Sequence, residues 1–411
     1  MLRFLTAGES HGPELTVILD GMPAGLPIVP EQVQTDLARR QKSYGAGGRM
    51  GIEKDAARFT AGIMNGQTTG GPIAMTIVNK DWENWVDRAI PPFTVPRPGH
   101  ADLPATIKYG YRDVRLALER ASARETAARV AAGGLCKQLL ATCGIRVGSY
   151  VVAIGKVAAI IPDQMDYPTR FSAAEADETG TRCPDVQTAT LMREHIFEAM
   201  QAKDTIGGII EIVALGLPPG LGSHIQWDRK LDGRIVGAIC SIPAIKGAEI
   251  GPAFQNATKF GTEVHDEILL ESSQREQHKQ HEQHEQPGGS SPQLTRASNR
   301  AGGLEGGIST GMPLVVRAAM KPISTTLKPL RSVDLATGQE ARTIYERSDF
   351  CAVPRAGVVG EAMLAFVLAQ ALLEKVGGDS LGEIRPRVEA LRQGRLDELE
   401  MDNEPWQFGY A

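Results

Sequence analysis

An α+β fold in one large domain is what this sequence of 411 residues predicts, and three observations carry it. Segments with strand and helix patterning interleave without a regular strand–helix–strand rhythm, and Gly- or Pro-bounded turns are frequent. Two stretches repeat each other. Residues 62–80 (GIMNGQTTGGPIAMTIVNK) and 303–321 (GLEGGISTGMPLVVRAAMK) match at a constant offset of 241. Gly62, Gly66, Thr69, Gly70, Pro72 and Lys80 correspond to Gly303, Gly307, Thr310, Gly311, Pro313 and Lys321. Finally, 42% hydrophobic and 23% charged residues are ordinary globular values, in a chain long enough to bury a large core without staples.

A second pair of segments supports the repeat. VILDGMPAGLP from Val17 resembles VALGLPPGLG from Val213 at an offset of 196. The offsets differ by 45 residues, much of which a polar insertion accounts for. An internal duplication is therefore expected, with halves at about 1–150 and 205–376 of a single domain spanning 1–411.

The elements follow in order. Residues 2–6 and 15–19 are apolar-rich and flank a Gly-rich turn, as two strands would. Residues 31–41 form a helix opened by Pro30, with Val33 and Leu37 on one face. Residues 72–78 and 313–319 read as strands, each entered through a proline. Ser122-x-x-Glu125 is a capping-box pattern before an Ala-rich stretch, so a helix is expected from 122 to 142, ending at Gly144. Residues 361–375 are nearly all apolar and close on Gly377-Gly378, which predicts a fully buried helix.

Residues 271–292 (ESSQREQHKQHEQHEQPGGSSP) stand apart. They hold almost nothing apolar, so burial cannot offset ordering entropy, and a mobile polar insertion is expected. His278, His281 and His284 recur at three-residue spacing there. Nothing in the pattern fixes them as ligands, so a solvated run is favoured over metal binding, and no metal is expected. A partner-docking role for the insertion is a further reading.

Several classes are disfavoured. A net charge of −5 and a pI near 6.0 argue against nucleic-acid binding by bulk charge. The longest apolar run, 362–373, is short of the roughly 20 residues a membrane span needs and contains Gln370. The first residues show no secretory signal pattern. Five cysteines without a C-x-x-C fit reduced thiols, and Cys136 and Cys143 read as small buried groups on a helix. A cytoplasmic location is expected.

No G-x-G-x-x-G, P-loop, G-x-S-x-G or H-E-x-x-H motif is present. Instead, short Gly-, Ser- or Pro-bounded pieces carry the chemistry: Gly8-Glu9-Ser10-His11-Gly12, Arg39-Arg40, residues 45–49, Arg97-Pro98-Gly99-His100-Ala101-Asp102, Ser122-Ala123-Arg124, residues 321–325 and Arg347-Ser348-Asp349. Glycine lets backbone N–H groups approach a ligand, and arginine offers fixed forks for carboxylate and phosphate. A Ser122 cap would present a helix N-terminus to an anion. A lone arginine is better explained as a solvated face, and Arg39 and Arg40 by the helix dipole. Arg124 and Arg347, framed by turns, favour function. His11 and His100 lie on Gly-flanked loops, where structural and acid–base roles are evenly weighted. Asp349 is either an ion-pair partner of Arg347 or a chemical group. Together the pieces describe an enzyme acting on a multiply anionic small molecule.

GESHG at the N-terminus, GGRM from Gly47, RPGHAD at 97–102, ERASARET at 119–126, KPIST at 321–325 and RSDFCAVPR at 347–355 resemble chorismate synthase, over residues 2 to about 374. The resemblance implies a β-α-β sandwich, a homotetramer, and 1,4-elimination of phosphate from 5-enolpyruvylshikimate 3-phosphate with reduced FMN. It makes His11 the general acid towards the leaving phosphate, His100 a stabiliser of the anionic reduced flavin, and Asp349 the group that works with flavin N5 in proton removal. It assigns substrate contacts to Ser10, Arg40, Arg49, Arg97, Arg124 and Arg347. It assigns flavin contacts to Ala121, Ser122, Ala123, Arg124, Pro243, Ala244, Gly306, Lys321, Pro322, Ile323, Ser324, Thr325 and Arg347. Lys321 is thereby functional and its repeat mate Lys80 is not. The absence of a dinucleotide motif favours a separate flavin reductase, with NADPH acting only through it.

One departure stands out. The family usually reads Y-G-R-G-G-R-M, and this chain reads Tyr44-Gly45-Ala46-Gly47-Gly48-Arg49-Met50. The loss of one guanidinium implies weakened activity, and opens the alternative of an FMN- or anion-binding homologue without catalysis.

Overall fold

The computed structural model describes residues 1–47, 54–270, 292–346 and 348–409. Nearly all of the His/Gln-rich insertion, together with Arg49 and Arg347, lies outside the described residues. Two antiparallel sheets organise the chain. The first contains β1 (Arg3–Ala7), β2 (Glu14–Asp20), β3 (Ala57–Ala61) and β4 (Ile73–Val78), in the order β1-β2-β4-β3. The second contains β5 (Arg146–Ile154), β6 (Val157–Ala158), β7 (Gly208–Leu215), β8 (Ile245–Ile250) and β9 (Leu314–Met320), in the order β8-β9-β7-β5-β6.

The helices that matter here are α1 (Pro30–Gln41), α2 (Asp102–Tyr109), α3 (Arg115–Ala121), α4 (Thr126–Ala141), α5 (Leu231–Cys240) and α6 (Val353–Val376). Helix α4 lies on the first sheet, α6 lies on β5 and β7 of the second, and α4 and α6 pack on each other. Alternation drives this arrangement. Leu15, Val17 and Leu19 of β2 and Ile73, Met75 and Ile77 of β4 point to one face and are almost fully buried. Where α4 and α6 cross, a Cβ on Gly133 would lie 2.3 Å from Cβ of Ala362, so only glycine permits this approach.

Most predicted elements form within a residue or two of expectation. Two differ. Helix α6 begins eight residues before 361, at Val353-Pro354, because the Pro-bearing segment supplies its first turn rather than a loop. It is 24 residues long and, by length and composition, apolar enough to cross a membrane, although no uninterrupted apolar run of that size exists. It is a core helix here, with 83% of its most apolar window buried. The capping box at Ser122 also does not form. Ser122 accepts from Arg124 N at 3.3 Å and leads into a short 3-10 turn (Ala123–Glu125), and the α-helix starts at Thr126. The Glu125 carboxylate instead accepts from Thr6 Oγ1 at 3.0 Å and from Arg129 Nε at 2.9 Å, partners that outcompete a return to its own N-cap.

The repeated sequences adopt matching geometry. Hairpin 63–68 precedes β4, and hairpin 304–309 precedes β9, 241 residues later. Gly62 and Gly303 have φ of 84° and 86°, and in each a Cβ would strike the carbonyl of Pro72 or Pro313. Thr68 Oγ1 donates to Pro23 O and accepts from Leu26 N; Ser309 Oγ donates to Pro218 O and accepts from Leu221 N. Strand register corrects one detail. Val17 pairs with Met75, and Ile212 pairs with Val316, so the offset between these strands is 195 rather than the 196 read from Val17 and Val213.

Helix α6 carries a carboxylate into the core. Glu361 is fully buried and accepts hydrogen bonds from Arg39, Lys137 and Ser149 Oγ. Arg39 thus serves the core, while its neighbour Arg40 points elsewhere.

Candidate active site

A cleft of about 430 Å³ opens where the β1–β2 loop, the end of α1, the turns around α3 and the start of α6 converge. This volume lies within the usual range of small-molecule sites. Ser10, His11, Arg40, Arg97, His100, Ala121, Ser122, Ala123, Arg124, Pro243, Ala244, Lys321, Ile323, Ser324, Thr325 and Asp349 all line it. Pro322 lies between two lining residues without joining the wall. Lys80 does not line the cleft, whereas Lys321 does. Gly306 is not brought in. It sits at the tip of hairpin 304–309, near His224 and outside this cleft.

The β1–β2 loop is tied down at several points. Ser10 N donates to Glu119 O at 3.0 Å, and Ser10 Oγ donates to Ser122 Oγ at 3.0 Å. His11 Nδ1 is 2.7 Å from Glu119 Oε1, and its ring lies 4.2 Å from that of Trp85, centroid to centroid. Trp85 is held in turn by Asp81, which accepts from its indole N–H at 3.1 Å.

His100 is held in a comparable way. Its Nδ1 is 2.5 Å from Asp102 Oδ1, at the start of α2. Asp102 is fully buried and also accepts from Arg97 Nε at 2.8 Å and Arg97 N at 3.0 Å. Arg97 Nη1 donates to Thr325 Oγ1 at 3.0 Å, which ties this loop to the 321–325 segment. Burial alone would raise the Asp102 carboxyl. Hydrogen bonds from His100 and Arg97 outweigh it and hold the group well below the usual carboxylate range.

Arg40 and Arg124 share one carboxylate. Asp55 accepts from Arg40 Nη2 at 2.6 Å and from Arg124 Nη1 at 2.5 Å, and all three side chains are almost fully buried. Burial would raise Asp55, but the two guanidiniums pull it below its ordinary value. For Arg40 the balance runs the other way: burial, with Arg124 adding repulsion, outweighs the attraction of Asp55 and lowers its pKa. Two guanidiniums thus converge on a single buried carboxylate in this wall. Arg40 Nε also has no hydrogen-bond partner among the described residues. An unpartnered buried guanidinium N–H is costly, and an anionic ligand would satisfy it.

Asp349 also lines the cleft. Its Oδ1 accepts from Gly47 N at 2.8 Å, and its Oδ2 pairs with Arg355 Nη1 at 2.7 Å. A Cβ on Gly47 would lie 2.4 Å from Ser348 O, so glycine is required for this strap to lie against the aspartate. Lys321 is lowered from its ordinary value by burial and by nearby Lys246.

Five contributors escaped the sequence reading: Trp85, Glu119, Asp55, Arg355 and the holding role of Asp102. Glu119, Asp102 and Arg355 lie inside motifs already singled out. Asp55 and Trp85 carry no local signal.

Two carboxylate-held imidazoles, an aspartate and fixed guanidiniums around one cleft define an enzyme that moves protons on a small, multiply anionic molecule. Comparison with known proteins narrows this class. A family model described as chorismate synthase matches residues 2–373. The chorismate synthase of Aquifex aeolicus (strain VF5) is 50% identical over 402 residues, covering 94% of this chain and 96% of the relative. That of Trichlorobacter lovleyi is 51% identical over 393 residues, covering 93% and 97%. A crystal structure of chorismate synthase superimposes with a TM-score of 0.74 at 42% identity, covering 94% of this chain and 96% of the other. The chain belongs to the chorismate synthase family, whose members are lyases.

Proposed function

We propose that this cleft carries out the 1,4-elimination of phosphate from 5-enolpyruvylshikimate 3-phosphate, giving chorismate, with reduced FMN bound beside the substrate. The observation that carries this reading is the meeting of His11, His100 and Asp349 in one cleft walled by buried arginines. The substrate bears two carboxylates and a phosphate, and a buried anion needs many fixed donors. Arg40, Arg97 and Arg124 supply them, with Arg355 beside Asp349. Arg49 and Arg347 are proposed as further clamps from the family resemblance alone.

His11 gives a proton to the departing phosphate, and Asp349 serves removal of the substrate proton, held in place by Gly47 and Arg355. Reduced FMN, when bound, supplies an electron-rich ring beside the substrate with no net redox change over the reaction. The cleft suits such a group. Leu118, Ile242, Pro243, Met320 and Val359 offer an apolar wall, and Arg124, Lys321, Ser324 and Thr325 offer donors. Ala244 takes a positive φ of 68°, a strained backbone state that places this turn in the wall. Anaerobic incubation of the protein with reduced FMN and the enolpyruvyl substrate should release phosphate and chorismate. Absence of both products from folded protein would overturn this function.

The alternative of a binding protein without catalysis is not favoured: relatives at about 50% identity are named chorismate synthase. Ala46 still has a consequence. It is adjacent to Gly47, which lines the cleft. A charge-assisted hydrogen bond contributes about 1.5–3 kcal/mol. Ala46→Arg is therefore expected to lower the apparent KM by about tenfold or more, read by steady-state kinetics. Unchanged KM and turnover would show that the guanidinium is dispensable.

The matched hairpins and strand registers support a duplicated β-α-β sandwich within one domain. A homotetramer, a cytoplasmic location and a separate flavin reductase drawing on NADPH are further parts of this proposal. The family resemblance supports the first, and the lack of a dinucleotide motif supports the last.

A further inference from the structure

We propose that Glu119 is the positioning residue for His11, fixing which ring nitrogen faces the substrate. This rests on His11 being the acid of the elimination. One carboxylate grips His11 twice: Oε2 accepts the backbone N–H at 2.7 Å, and Oε1 lies 2.7 Å from ring Nδ1. The main chain of Glu119 adds a third tie by accepting from Ser10 N. Both side chains are largely sheltered, at 15% and 14% exposure, so water competes weakly for these bonds.

An ionised carboxylate only accepts, so Nδ1 must carry a proton. Glu119 stays ionised. Burial would raise its carboxyl, but the hydrogen bond and charge of His11 bring it below its ordinary value. Trp85 packs against the imidazole at a tilt of 43°, which restricts the space open to the ring. Nε2 has no partner among the described residues, and His11 lines the cleft. The proton that moves is therefore the one on Nε2. Without Glu119 the ring could present either nitrogen, and fewer encounters would be productive.

The test compares Glu119→Gln, His11→Ala and the double variant in the anaerobic assay, with melting temperatures confirming folding. Glutamine preserves shape but loses the charge and one acceptor. Glu119→Gln is expected to lower kcat about ten- to a hundredfold, with KM within about threefold. In the His11→Ala background it should change kcat less than about twofold, because its partner is already gone. Nitrogen-15 NMR of the wild-type imidazole should show a protonated Nδ1, and Glu119→Gln should change that signature without any turnover. Additive losses, an unchanged kcat, or an effect confined to KM would overturn the role of Glu119. A normal kcat in His11→Ala would instead overturn the assignment of His11 as the acid.

Discussion

His11→Ala is expected to slow chorismate formation by about 10²–10⁴-fold, the usual contribution of a positioned general acid. The phosphate leaves by C–O cleavage as a highly charged anion, and a proton delivered in the transition state relieves that charge. The fall should appear in kcat rather than KM, because the arginines proposed to bind the substrate are untouched. Arg40 and Arg124 are anchored by Asp55, and Arg97 by Asp102, independently of His11. Single-turnover measurement under anaerobic conditions separates binding from chemistry. A rate near that of the wild type would remove His11 from the mechanism and leave the proton to another donor or to water.

The site's polar termini were legible in the sequence because they sit on Gly-bounded loops. Ser10, His11, Arg97, His100 and Arg124 each stand on or beside such a turn, and each lines the cleft. Their partners were much less visible. Asp55 reaches Arg40 across 15 positions and Arg124 across 69, and Glu119 reaches His11 across 108. Such pairings depend on how helices cross sheets, and no local pattern encodes that. Arg39 and Arg40 show the same limit most sharply. They are adjacent on α1, and the helical turn of about 100° per residue sends them to different surroundings. One meets Glu361 in the core and the other meets Asp55 in the cleft. Gly306 marks the reverse case: a residue assigned by family resemblance lies outside the cleft that most of the other assigned residues share.

Glu361 should dominate stability as His11 is expected to dominate rate. Three cations, Arg39, Lys137 and Arg182, meet three carboxylates, Asp36, Glu175 and Glu361, between α1, α4 and α6. Glu175 is partly exposed, at 40% for its side chain, so Glu361 is the carboxylate that neutralises the deepest part. Glu361→Gln keeps the volume and an acceptor but leaves one buried cation in excess. Breaking a buried pair in this way costs about 3–5 kcal/mol, to be read as a lower urea midpoint at unchanged slope. The acid dependence gives a second reading. Burial would raise the Glu361 carboxyl, but the charges of Lys137 and Arg39 hold it well below its ordinary value. The unfolded chain, with a glutamate near 4.3, therefore takes up its proton first as pH falls. The stability Glu361 contributes is fully present above about pH 4.3 and is lost progressively below it. Wild type and Glu361→Gln should thus differ most near neutrality and converge as the solution is acidified below about pH 4. A constant difference across that window would mean that volume and hydrogen bonding, rather than charge, hold α6 in the core.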